Sequence, residues 1–140
     1  MKKDTNNLFE ELGNACKIED YMNSNTSSFV HHTLCDFWES MCKKSEMSKS
    51  NIINKSEFNY SFFYDVINGR KIPARDKIIR LVLTMGLELD DCQQALRLSD
   101  KALLYPRVKR DSVIIYAINN KLNIAESNSI LKEYNEETLK

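Results

Sequence analysis

The chain has 140 residues, with 20 Lys and Arg against 20 Asp and Glu and an apolar fraction of 42%. That balance excludes a disordered or collagen-like chain and leaves enough apolar surface for one ordinary core. No run approaches the roughly 18 apolar residues of a membrane span, and the Met-Lys-Lys start lacks the apolar segment of a secretory signal. A cytoplasmic protein with no membrane partner is therefore expected. The four cysteines, Cys16, Cys35, Cys42 and Cys92, contain no C-x-x-C pair and read as free thiols in a reducing compartment. Only three Gly and two Pro interrupt the sequence, and strand-like alternation is scarce, so the expected fold class is all-α.

Residues 2–22 carry a weak helical pattern, with Leu8, Leu12, Ala15 and Ile18 on one side, and end in the polar run from Asn23 to Ser28. This predicts an N-terminal helix and linker over residues 1–28. A stronger stripe of Phe29, Leu34, Phe37, Trp38 and Met41 predicts a core helix from Phe29 to Lys43, with Ser27 or Ser28 as its cap. His31 and Cys35 lie one turn apart beside His32. No second pair has metal-ligand spacing, so ordinary surface histidines and a buried thiol are the preferred reading, without metal or cofactor.

The stretch from Ser48 to Lys71, SKSNIINKSEFNYSFFYDVINGRK, is the most informative part of the chain. It reads as two short helices joined by a tight turn and closed by Asn-Gly, the outline of a helix-turn-helix. Ile52 and Ile53 give the first helix an inner face. Phe62, Phe63, Val66 and Ile67 do so for the second, which leaves Tyr60, Ser61, Tyr64, Asp65 and Asn68 facing outward. Residues 69–80 then hold Arg70, Lys71, Arg75, Lys77 and Arg80 against the single Asp76, a basic cluster hidden by overall neutrality. Such a cluster beside a reading helix fits a nucleic-acid binder, and a solvated helix start explains it equally well.

Pro73 fits just before or in the first turn of a helix rich in Ile78, Ile79, Leu81, Val82, Leu83 and Met85, apolar on most sides and therefore central, with Gly86 ending it. Asp90 and Asp91 suit the first turn of the following helix, whose inward face is Leu89, Cys92, Leu96 and Leu98. The segment from Asp76, DKIIRLVLTMGLELDDCQQALRL, aligns without a gap to DSVIIYAINNKLNIAESNSILKE from Asp111, and Arg75 corresponds to Arg110. Two stacked helical hairpins are expected; duplication and shared packing needs both account for the match.

On these residues the segment from Phe29 to Leu98 resembles the five-helix lambda-repressor-like domain of the Cro/CI, or XRE, class of bacterial and phage regulators. The likeness rests on Ser48-Lys49-Ser50, on Val66-Ile67-Asn68-Gly69-Arg70-Lys71 with Pro73, and on Met85-Gly86-Leu87-Glu88-Leu89. The longer run GRKIPARDKIIRLVLTMGLELDDCQQALRL, with LLYPRVKRDSVIIYAIN after it, is similar to helix-turn-helix proteins of gut Firmicutes that carry a C-terminal hairpin. The resemblance implies a helix-turn-helix domain over residues 29–100, a hairpin extension over residues 101–140, and transcriptional regulation through double-stranded DNA. By position, Lys49 and Ser50 would touch phosphate, and Asn59, Tyr60, Ser61, Tyr64 and Asp65 would face the groove. Arg70, Lys71, Arg75 and Lys77 would hold the backbone, and a two-fold dimer would place half-sites one DNA turn apart.

Two features of the residues bear on that implication. A residue with a Cβ, Ser56 or Glu57, must occupy the tight turn, at a cost of about 1 kcal/mol. The outward face also lacks the Arg, Gln and Lys that most often read guanine and adenine edges, so direct readout should be weak. The outward tyrosines suit a protein interface as well as DNA, so a degenerate helix-turn-helix acting as a protein-interaction module is the alternative. Nothing in the sequence assembles catalytic chemistry, and no enzyme is expected.

Overall fold

The computed structural model describes residues 5–14, 17–25 and 30–140. Every regular element among them is helical: α1 (Thr5–Asn14), α2 (Ile18–Ser24), α3 (Val30–Ser45), α4 (Lys49–Ser56), α5 (Tyr60–Ile67), α6 (Arg75–Met85), α7 (Leu89–Leu98), α8 (Lys109–Asn119) and α9 (Ile124–Glu133). The single N-terminal helix expected over residues 2–22 is thus replaced by two. Cys16 and the expected caps Ser27 and Ser28 lie outside the described residues, as do the side chains of His31 and His32. Cys35 is half-buried rather than buried, whereas Cys42 and Cys92 lie in the core. Burial pushes the Cys92 thiol up to about 12. No cluster of metal-ligating side chains occurs among the described residues.

Helix α6 is the centre of the bundle and touches α3, α4, α7, α8 and α9. Its sequence explains this position, because Ile78, Ile79, Leu81 and Val82 leave no polar face wide enough for solvent and all four are buried. Each such aliphatic side chain contributes about 1.5–3 kcal/mol on burial. Leu34, Phe37, Trp38 and Met41 of α3 close one side of the core, and Phe37 meets Trp38 edge to face at 5.1 Å.

The two C-terminal hairpins, α6–α7 and α8–α9, share their joints position by position at a spacing of 35 residues. Helix α6 is ended by Gly86 at φ 64°, and Lys121 takes the same left-handed conformation at φ 54° after α8; Asp100 and Asn135 match after α7 and α9. Capping boxes open both second helices, Glu88 with Asp91 and Asn123 with Glu126. Gln93 binds the backbone of Leu104 as donor and acceptor, and Asn128 accepts from the amide of Leu139. Leu104 and Leu139 are both buried.

Reciprocal ion pairs join the hairpins. The Arg75 guanidinium donates to both carboxylate oxygens of Asp111 at 3.0 and 2.9 Å and to the carbonyls of Ala102 and Leu103. Arg110 donates to both oxygens of Asp76 at 3.1 and 2.9 Å and to the carbonyls of Glu137 and Thr138. The amides of Tyr105 and Lys140 complete Asp111 and Asp76 respectively. The same Arg-Asp dipeptide, used twice and crossed, ties the end of the chain to the central helix.

Candidate functional site

The outward helix is built by two caps and a turn. Ser48 opens α4 by accepting from the Asn51 amide at 3.2 Å, and Asn59 opens α5 by accepting from the amides of Ser61 and Phe62 at 2.9 and 3.3 Å. Each such cap contributes about 1 kcal/mol. Between the helices Glu57 takes the left-handed conformation at φ 61°, so of the two residues considered for that position it is Glu57 that does. The end of α4 is held from outside: Arg80 donates to the Ser56 carbonyl at 2.7 Å, stacks over Phe58 at 5.9 Å and approaches Glu57 at 3.8 Å.

Phe63, Val66 and Ile67 are fully buried and Phe62 is half-buried against the core, which orients α5. Asn59, Tyr60 and Ser61 are then exposed, and Tyr64, Asp65 and Asn68 lie half-buried at the edge of the same helix. Tyr60 is 66% exposed. Its ring lies 4.6 Å from that of Tyr64, so the two aromatics form one tilted unit on the surface. The Asn59 carboxamide oxygen is occupied by capping, which makes this residue a positioner of the α5 N-terminus.

Cations surround this face. Lys49 lies 3.2 Å from Glu39 and 5.9 Å from the Tyr64 ring, and the hydrogen bond to Glu39 raises its pKa; beside it on α4, Ser50 sits at the helix start. Arg70 and Lys71 are exposed and approach the Asp65 carboxylate at 4.0 and 3.9 Å. Contacts this long between exposed groups are worth little and leave both cations able to meet another anion. The Lys77 ammonium lies over the Phe58 ring at 5.7 Å.

Arg75 belongs elsewhere. Its carboxylate partner Asp111 is buried, and a buried carboxylate needs a counter-charge, so the guanidinium is neutralised inside the fold and Arg75 leaves the expected phosphate-binding set. Arg80 likewise serves the α4 terminus. The sequence aligns Arg75 and Asp76 with Arg110 and Asp111 but does not show that each arginine pairs with the aspartate of the other copy; the repeated Arg-Asp dipeptide is the signal that points to it.

Comparison with protein-family models, curated proteins and solved structures finds no match. The site is therefore read from its own chemistry: an exposed aromatic and hydroxyl-bearing helix, joined to its predecessor by a three-residue turn and bordered by Lys49, Arg70, Lys71 and Lys77.

Proposed function

We propose that helices α3 to α7 form a lambda-repressor-like helix-turn-helix domain and that the protein is a DNA-binding transcriptional regulator. The observation that carries this reading is α5: a short helix held by Phe63, Val66 and Ile67, with Tyr60 and Ser61 exposed on its outer face and cations at both ends. An α-helix presented in this way fits the major groove, while Lys49, Arg70, Lys71 and Lys77 meet phosphates on either side. Tyrosine and serine hydroxyls donate to phosphate or base edges, and Asp65 accepts only from a cytosine amino group or remains paired with Arg70 and Lys71. Sequence preference is consequently modest and draws on DNA shape.

The tilted Tyr60–Tyr64 pair favours a second reading, in which the same face docks a protein, since paired aromatics bury large area at small entropic cost. Fluorescence anisotropy on a labelled random-sequence duplex, taken across a salt series, separates the two. The DNA reading expects Arg70→Ala with Lys71→Ala to lower affinity for every duplex and to reduce the salt slope by about 0.9 per lost phosphate contact. An unchanged slope, or no retention of duplex at low salt, rejects it in favour of the protein interface.

A further inference from the structure

The 35-residue correspondence between the hairpins fails on one face, and the failure is specific. Leu81 and Ala95 are fully buried in the first hairpin, as is Ser99 just after it. Their equivalents in the second are Tyr116, Ile130 and Tyr134, of which Tyr116 is 55% and Tyr134 50% exposed and Ile130 is half-buried. With Val113 and Lys109 these residues line an open groove of about 510 Å³ between α8 and α9.

The hairpins meet reciprocally, α6 with α8, α6 with α9 and α7 with α8. Their equivalent outer faces therefore point away from each other. On the first hairpin that face is covered by the layer containing α3, which packs on both α6 and α7. No described element takes that place on α8–α9. The groove is thus shaped for helical packing, as the first hairpin is covered by α3 and α4.

Among the described residues two helices lack core burial, α1 and α2, which pack on each other with Leu8, Phe9 and Leu12 facing Tyr21; of the two only α1 has the length of the groove. Helix α1 has no buried residue, and its Phe9 and Leu12 are 71% and 45% exposed. At ten residues it equals α9 and is one residue shorter than α8, about 15 Å at 1.5 Å per residue. Charge agrees as well. Helix α1 carries exposed Glu10 and no basic residue, while its Glu11 accepts from the Asn25 side chain; the α8 end of the groove bears exposed Lys109 with Arg107 just before it, and only Glu133 opposes them on the lining.

We infer that α8–α9 is a self-association surface whose occupant is α1 of a second copy, with Phe9 and Leu12 seated between Tyr116 and Tyr134. This surface is separate from the α5 face and leaves that face open. Two copies exchanging α1 in this way bury two grooves per dimer and place two α5 helices in one particle.

Sedimentation equilibrium of the full chain without DNA tests this. Wild type is expected to be a dimer, and Phe9→Glu and Tyr116→Glu are each expected to give a monomer with unchanged helical circular dichroism, since both positions are exposed. Isotope-filtered NOEs in a mixture of labelled and unlabelled protein should connect the Phe9 ring to Tyr116 and Tyr134 across copies. A monomeric wild type overturns the inference. So does a dimer lost with Tyr116→Glu alone, which would mean groove against groove, one lost with Phe9→Glu alone, or one that survives both changes. Because no DNA is present, these outcomes are independent of the anisotropy experiment.

Discussion

Hairpins α6–α7 and α8–α9 have the same joints and different surroundings. Both begin with Arg-Asp, both end their first helix with a left-handed residue, both open their second with a capping box, and both anchor a following leucine through an amide side chain. Among the described residues only the first is enclosed, by α3 and α4. Local geometry is therefore set by short-range chemistry that survives a change of environment, whereas the identity of an outer-face residue follows from what covers it. Leu81 against Tyr116 shows the second effect, and Gly86 against Lys121 the first. At the latter position a Cβ is accepted because the Lys121 ammonium donates to the carbonyls of Gly86 and Leu87 and to Glu88, so the strained residue of one hairpin caps the helix of the other.

The largest expected effect comes from breaking the crossing of the hairpins. Asp111→Ala leaves Arg75 without its carboxylate in a mostly buried setting and should destabilise the fold by about 3 kcal/mol, a fall in melting temperature on the order of 10 °C for a chain of this size. Asp76→Ala removes the more exposed of the two pairs and should cost about 2 kcal/mol. Equal losses, or a larger one at Asp76, would show that burial does not rank the two joints.

Acid should weaken the Asp76 joint in a defined window. Burial alone would raise the Asp76 pKa, but hydrogen bonds from Arg110 and the Lys140 amide, with the charges of Arg110 and Arg75, outweigh it and hold the carboxyl below its ordinary range. A carboxylate depressed in the fold contributes its full stability above the unfolded value of about 3.9 and loses it as pH falls through the folded value. The difference in melting temperature between wild type and Asp76→Asn is therefore expected to be constant near neutrality and to shrink below about pH 4. A difference independent of pH would place the effect in packing instead of charge.

Much of this was legible beforehand. The apolar periodicities of α3, α5 and α6, the Gly86 stop and the gapless match of Asp76 to Asp111 are short-range patterns, and short-range patterns report local geometry directly. Arg75 departs from its expected role because its partners, Asp111 and the carbonyls of Ala102 and Leu103, lie 27 to 36 residues away, and one sequence shows a cation without showing what meets it. The N-terminal segment reads as one helix in the sequence because Leu8, Leu12, Ala15 and Ile18 share a period that does not register the extended Lys17 before α2.

A smaller effect, of opposite sign, is expected in the turn before α5. Glu57→Gly removes the Cβ from a left-handed position and should stabilise by up to about 1 kcal/mol. The contact forgone is the 3.8 Å approach of Arg80 to a Glu57 side chain that is 82% exposed, which is worth little. A loss of stability would mean that the Arg80 contact matters more than backbone strain.

The most direct test of the DNA-binding proposal is an amide chemical-shift titration of the labelled protein with a short duplex at low salt. The account expects the largest perturbations at Lys49, at Tyr60 to Asp65 and at Arg70 and Lys71, with Arg75 and the α8–α9 groove unmoved. Perturbations confined to α8–α9, or none at α5 at saturating duplex, would contradict it.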